Sequence, residues 1–295
     1  MGEAWFMSKE RVMYTELEHP NAIREMDPVD LSMLLFEIAS GTKCFGHLDE
    51  WDDWFRYLLP DLIERSVETV YFDTTVFQSV VTAFMSIYWN GIDEHYVGFR
   101  NDVLSSLSVA MMDERFWSLG ETPPRPVFLD VAEDGVGRIK LFWDCEHSDP
   151  SVSAGLFFGL KYLKSDELAD WIESVVSIEH ELWQGNLMVW FLGAFDYLKS
   201  GSVAPGDIES GRPELEWDAS HLLGTYEEAN RARYEGFNFN EDFLPKENIK
   251  IFFDRVTSYY SETKILELAV SFTNNEHLKT STFNIPERLQ TKLYS

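Results

Sequence analysis

The sequence predicts a mainly α-helical fold: antiparallel helical layers with a small β-hairpin and a C-terminal α+β module. Three observations lead there. Helix-starting and helix-stopping residues recur through the first 200 positions. Apolar residues between them fall at helical spacing, and both patterns change after about residue 216.

Asp27-Pro28 reads as an N-cap followed by proline at the first helical position. Leu31, Leu34, Leu35 and Ile38 then form an apolar stripe, and Gly41 stands where a helix should stop. Asp49 opens a second helix carrying Trp51, Phe55, Leu58, Leu59, Leu62 and Ile63. Pro60 falls inside that pattern and is expected to kink or split it, because proline has no amide hydrogen to donate. A third helix starts at Asp73, carries Val76, Phe77, Val80, Val81, Phe84 and Tyr88, and ends at Asn90-Gly91. A fourth spans about 93–112. Short connections make these four an antiparallel layer.

Pro123, Pro124 and Pro126 then rule out helix. Residues 127–131 and 138–143 flank Asp134-Gly135, the pattern of a β-hairpin. A lone two-stranded hairpin is marginal, so it must lean on the helices or on a partner. Helices resume at Asp149-Pro150. Tyr162-Leu163-Lys164-Ser165 recurs 35 residues later as Tyr197-Leu198-Lys199-Ser200, an echo that suits a helix-pair repeat.

The domain organisation follows. Residues 1–200 form a helical body and 201–216 a Gly-, Ser- and Pro-containing linker. Residues 217–295 form the α+β module: a short helix near 226–234, an aromatic loop over 236–244 and a helix from Pro245. Two strands at 265–272 and 279–285 follow, and Pro286 opens a last helix.

Charge divides at the same place. The chain carries 24 Lys+Arg against 51 Asp+Glu, a formal charge of −27. The last fifty residues hold seven basic and six acidic side chains, so the first 245 carry −28. Such a surface repels nucleic acid and anionic membrane and attracts basic proteins over a range set by salt. Aromatic content of 15% argues for a packed fold despite the charge, since disordered acidic chains lack aromatics. Two cysteines, Cys44 and Cys145, make no disulfide framework and read as free thiols in a reducing cytoplasm. The first thirteen residues have no apolar core of signal-peptide length, and no stretch is apolar enough to span a membrane.

The candidate chemistry is thin. Cys145-Glu146-His147 stands beside Asp144 and Asp149, but adjacent side chains point apart and no second Cys/His pair lies at zinc-ligand spacing. His180-Glu181 begins a metalloprotease pattern whose second histidine is replaced by Gln184. Glu16 and His19 give one Glu-x-x-His spacing, without the second copy that a di-metal bundle needs. Gly135-Val136-Gly137 lacks the third glycine of a dinucleotide loop. No catalytic residue, metal or cofactor is therefore assigned.

Binding residues are assigned instead. Asp49, Glu50, Asp52 and Asp53 bracket Trp51 and Trp54 at a helix start. Acids there complement the helix dipole, and acids around aromatic anchors are also the composition expected where a basic protein docks. The hairpin supplies a second acidic group, Asp130, Glu133 and Asp134.

The stretch Trp54-Phe55-Arg56-Tyr57-Leu58-Leu59-Pro60, within Asp49 to Arg65, resembles uncharacterised bacterial and phage helical proteins. In those, an aromatic-rich helix runs into Phe-Leu-Pro-Arg; here Asp61 stands in place of that arginine. The resemblance covers about residues 27–117 and implies helical architecture with no activity. The general make-up also looks like immunity proteins and phage inhibitors.

Three functions are weighed on these grounds. The first is an acidic binding protein that inhibits a basic, nucleic-acid-handling target: a toxin, a nuclease or a defence complex. The alternative is a homo-oligomeric assembly protein joined through its near-neutral C-terminal module. An enzyme built on carboxylates gathered from distant helices finds the least support.

Overall fold

The structure is a computed structural model, and it describes residues 21–45, 49–68, 74–113, 130–133, 139–142, 150–201, 243–275, 278 and 284–294. Among the described residues the protein is mainly helical, with eleven α-helices. In the first half these are α1 (Ala22–Glu25), α2 (Pro28–Phe45), α3 (Asp49–Glu68), α4 (Thr74–Ile87) and α5 (Phe99–Leu107). A 3₁₀ turn, Ala110–Met112, follows α5. The second half holds α6 (Pro150–Tyr162), α7 (Ser165–Val176), α8 (Glu181–Ser200), α9 (Lys246–Tyr259), α10 (Glu262–Asn274) and α11 (Ile285–Tyr294).

Three helices have no solvent stripe of the usual width, and they form the interior. On α4 every described side chain from Val76 to Ile87 is buried except Gln78, and on α6 every residue from Ser151 to Leu160 is buried. On α8 fifteen residues are buried, among them Trp183, Trp190, Phe191 and Phe195. A helix that is apolar all round must be enclosed. Here α4 lies between α2 and α6, while α8 touches α6, α9, α10 and α11. Three polar residues of the interior are satisfied locally. Thr82 Oγ1 donates to the Gln78 carbonyl at 2.7 Å, Ser86 Oγ to Thr82 at 2.9 Å, and Asn186 Nδ2 to Leu182 at 2.9 Å. One apolar cluster runs from Ile23 on α1 to Leu289 on α11, so the C-terminal helices share the core of the first half.

Helix ends are closed by side chains from other helices. The last carbonyls of a helix lack partners within it. The Tyr88 carbonyl, just past α4, accepts from Tyr162 Oη at 2.9 Å, and the Ser108 carbonyl, just past α5, accepts from Trp171 Nε1 at 2.9 Å. Asn248 Nδ2 serves two carbonyls at the end of α6, Leu160 at 2.9 Å and Leu163 at 2.8 Å. Trp183 Nε1 and Gln184 Nε2 close α7 through Val175 and Val176, at 2.7 and 2.9 Å. Tyr294 Oη reaches the Tyr260 carbonyl beyond α9 at 3.0 Å. Except for the two from Trp183 and Gln184, which reach back eight positions, each bond ties a helix end to a distant stretch of sequence.

Several sequence expectations need correction. Helix α2 runs through Gly41 to Phe45, and Pro60 lies inside a continuous α3. Pro60 is on the exposed side, where water replaces the lost main-chain bond, so the helix is not split. The fourth helix starts at Phe99, since Gly98 before it takes a φ of 97°.

The expected C-terminal α+β module is not supported by the described residues. Residues 265–272 lie in α10, where Ile265, Leu268 and Phe272 fall at helical spacing and all three are buried. Ser261 caps that helix by accepting from the Lys264 amide at 3.3 Å. The apolar run was short enough to suit either period, and the cap decides it. Residues 279–283 lie outside the described residues.

Four-residue strands β1 (Asp130–Glu133) and β2 (Ile139–Phe142) pair antiparallel, Val131 opposite Leu141. Their side chains and the turn at 134–138 lie outside the described residues, so the hairpin expected to lean on the helices is not supported as a packed part of the fold. The linker 202–216 and the expected short helix at 226–234 also lie outside them.

Candidate functional site

Of the acidic group at the start of α3, Asp49, Glu50, Trp51 and Asp52 lie in the helix, but their side chains are outside the described residues. Asp53 is exposed and stands 3.9 Å from Arg56, one turn on. Trp54 is half-buried against the core and meets the exposed Tyr57 edge to face, with ring centroids 5.8 Å apart. Asp130 and Glu133 lie on β1 with side chains outside the described residues, and Asp134 is outside them altogether. The described geometry does not bring the two groups together.

A different acidic element is fully described, and sequence reasoning missed it. It is the connection between α4 and α5, residues 91–98. Gly91 and Gly98 bound it with φ of 130° and 97°, a conformation that side chains other than glycine's rarely take. Two hydrogen bonds and a set of ring contacts fix the loop between them. The Tyr88 hydroxyl and His95 Nε2 are 2.8 Å apart, and the His95 ring lies 4.7 Å from Phe99. Tyr96 Oη donates to Asp102 Oδ2 at 2.7 Å, and its ring lies 5.4 Å from Phe99. That carboxylate raises the Tyr96 phenol above its ordinary range, so the hydroxyl stays a donor. Tyr88 is itself held, its carbonyl by Tyr162 and its ring against Phe84 at 4.4 Å.

This bracing leaves Val97 at the tip with a relative exposure of 102%, beside Tyr96 at 53% and the exposed acids Asp93 and Glu94. A rigid loop that presents an apolar tip loses little entropy when it is covered.

The surface beside the loop is acidic for a traceable reason. Arg100, the one cation on α5, is spent inside the fold: it forks onto Glu167 of α7 at 3.0 and 2.7 Å and donates to the Tyr162 carbonyl at 2.9 Å. The guanidinium bonds and the Lys164 amide hold the Glu167 carboxyl down at about 2, although partial burial opposes them. With α5 and α7 joined this way, the exposed charged residues of the pair are Asp102 on α5 and Asp166, Asp170 and Glu173 on α7, with Lys164 just before α7. Among the described residues, Asp93, Glu94, Asp166, Asp170 and Glu173 make no ion pair.

The signal for this loop was in the sequence, as Gly91 and Gly98 seven positions apart around Asp93-Glu94. The reading of a helix from 93 ran over it.

The other candidate chemistry has structural uses. His180 caps α8 by accepting from the Leu182 amide at 3.3 Å, and burial lowers its pKa. Glu181 accepts from Ser271 at 2.8 Å and Asn275 at 2.9 Å, tying α8 to α10. Among the described residues no cluster of His, Cys, Asp and Glu has the shape of a metal site, and no helix is long and apolar enough to cross a membrane. Cys145 and His147 lie outside the described residues, as do Glu16 and His19. No family model, curated protein or solved structure matches the chain.

Proposed function

We propose that the protein is an acidic binding protein that inhibits a basic, nucleic-acid-handling target, and that the loop 91–98 is its docking point. The observation that supports this reading is the full exposure of Val97 on a loop braced at His95 and Tyr96. Unpaired carboxylates around it would steer a basic partner, and the aromatic-apolar tip would supply desolvated contact once it arrives. The group around Trp54 is a second contact in the same account.

The test compares association kinetics for charge reversal at two places, Asp93→Lys with Glu94→Lys, and Asp52→Lys with Asp53→Lys. Reversal at the loop slows association and flattens its salt dependence if the loop is the docking point. Unchanged kinetics remove it.

A second reading, self-assembly, has one observation in its favour. Leu266 and Val270 stand one turn apart on α10, 60% and 63% exposed, in the part of the chain that carries almost no net charge. Copies of a strongly acidic chain meet at least cost where the charge is absent. Light scattering of wild type and Leu266→Glu distinguishes the two: a mass that falls in the variant favours assembly.

A further inference from the structure

The joint between the C-terminal helices and the rest of the chain is built around one amine. Lys161, in the last turn of α6, places Nζ 5.0 Å from the Trp89 ring centroid, 4.7 Å from that of Phe243 and 5.6 Å from that of Tyr162. The same nitrogen donates to the Phe243 carbonyl at 3.0 Å, while the Trp89 and Phe243 rings lie 5.3 Å apart. Three segments thus converge on it: the end of α4, the end of α6 and the residues that lead into α9. Asn248, one turn into α9, makes its bonds to Leu160 and Leu163 next to this cage.

Among the described residues, the charges around the cage are committed elsewhere or exposed. Tyr162 Oη is bonded to the Tyr88 carbonyl, and Glu167 of α7 is held by Arg100. Lys164, between α6 and α7, and Lys246, Glu247 and Lys250 on α9 are exposed; just past α4, Trp89 and Asn90 carry no titratable group and the Tyr88 hydroxyl lies against His95. No carboxylate pairs with Lys161 among the described residues.

An ammonium enclosed without a counter-ion is costly, and the rings return only part of that cost. A neutral amine loses the cost and keeps a donor for the Phe243 carbonyl.

We propose that this joint is a proton-linked fastening: the segment from Phe243 to Tyr294 docks more tightly on the helical body when Lys161 is neutral than when it is an ammonium. Burial brings the Lys161 pKa down to about 8, which places the change close to neutral pH. The sign follows from linkage. The amine's ordinary value is 10.5, so between about 8 and 10.5 the undocked state binds more protons, and docking strengthens as pH rises. The structure therefore carries a joint that loosens on proton uptake.

Hydrogen exchange of the full chain, corrected for intrinsic rates and read by mass spectrometry on peptides of α9, tests this. Wild-type protection should rise about tenfold between pH 7 and 9 for one group titrating near 8. Lys161→Met should show no such rise, and Lys161→Arg should stay at or below the wild-type pH 7 protection throughout. Equal pH dependence in wild type and Lys161→Met overturns the proposal. If the variants fail to fold, carbon-detected NMR of lysine side chains in the wild type decides it. One lysine titrating near 8 supports the fastening, and a set in which every lysine titrates above 9.5 overturns it.

Discussion

Asn248 donates to the Leu160 carbonyl across 88 positions of sequence, at 2.9 Å, and so closes helix α6 from helix α9. Its other amide hydrogen serves Leu163, and Ser165 Oγ donates to its carbonyl oxygen at 3.1 Å. The side chain is buried and all three bonds are internal. Replacing it with leucine leaves two buried carbonyls unpaired, at about 1–3 kcal/mol each before relaxation. Asn248→Leu should therefore lower the urea unfolding free energy by at least about 2 kcal/mol. A loss under half that would mean water takes over the carbonyls.

Gly159 and Gly155 look alike in sequence and should respond differently to a methyl group. A Cβ at Gly159 would lie 2.4 Å from the Trp171 ring, which is pinned by its bond to the Ser108 carbonyl. A Cβ at Gly155 would meet the Met111 side chain at 2.3 Å, a flexible thioether that can turn aside. Alanine gains about 1 kcal/mol in helix propensity at either site. Gly155→Ala should come out near neutral, while Gly159→Ala should cost about 2 kcal/mol net, because over-packing against a fixed ring outweighs propensity. Thermal melts of the two variants check the order.

Acid should weaken the joint between α5 and α7. Glu167 is held at about 2 in the fold against an ordinary 4.5, so its stabilisation is present above pH 4.5 and is lost as pH falls toward 2. Its side chain is 37% exposed, which screens the pair and limits the effect to about 1 kcal/mol. Between pH 5 and 2.5 the unfolding free energy of Glu167→Gln should fall less steeply than that of wild type by that amount. Parallel slopes would show that Arg100 contributes nothing through charge.

The loop's rigidity should depend on its two side-chain bonds. Tyr96→Phe removes the hydroxyl bonded to Asp102 and keeps the ring on Phe99. The exposed pair is worth about 1 kcal/mol, so global stability should barely move while amide exchange over 93–98 rises severalfold. Unchanged exchange would place the bracing in the His95 bond alone.

The helices of the first half were legible because their signals are local. Asp27 accepts from the Val29 amide at 2.9 Å as its N-cap position requires, and the stripe Leu31, Leu34, Leu35 and Ile38 is buried as spaced. The error at 265–272 has a different origin: eight apolar-rich residues suit a strand or a helix, and Ser261 arbitrates from outside the run. The cross-closure of helix ends was not legible at all. Nothing in the sequence links Trp171 to Ser108 or Asn248 to Leu160, since each pairing depends on which helices become neighbours. The candidate site was missed for a related reason. Val97 and Tyr96 fit a helical pattern until the geometry of Gly91 and Gly98 is known.

Under the proposed function, a basic protein docks on the loop 91–98. The most direct measurement is affinity capture from host lysate at low and high salt, with wild type, an Asp93→Lys/Glu94→Lys/Val97→Ser variant and a Leu266→Glu control as bait. Docking at the loop predicts a basic, nucleic-acid-handling protein held by wild type and by the control at low salt, weakened at high salt and absent from the loop variant. Capture that is equal on all three baits, or recovery of the bait's own chain alone, would contradict it.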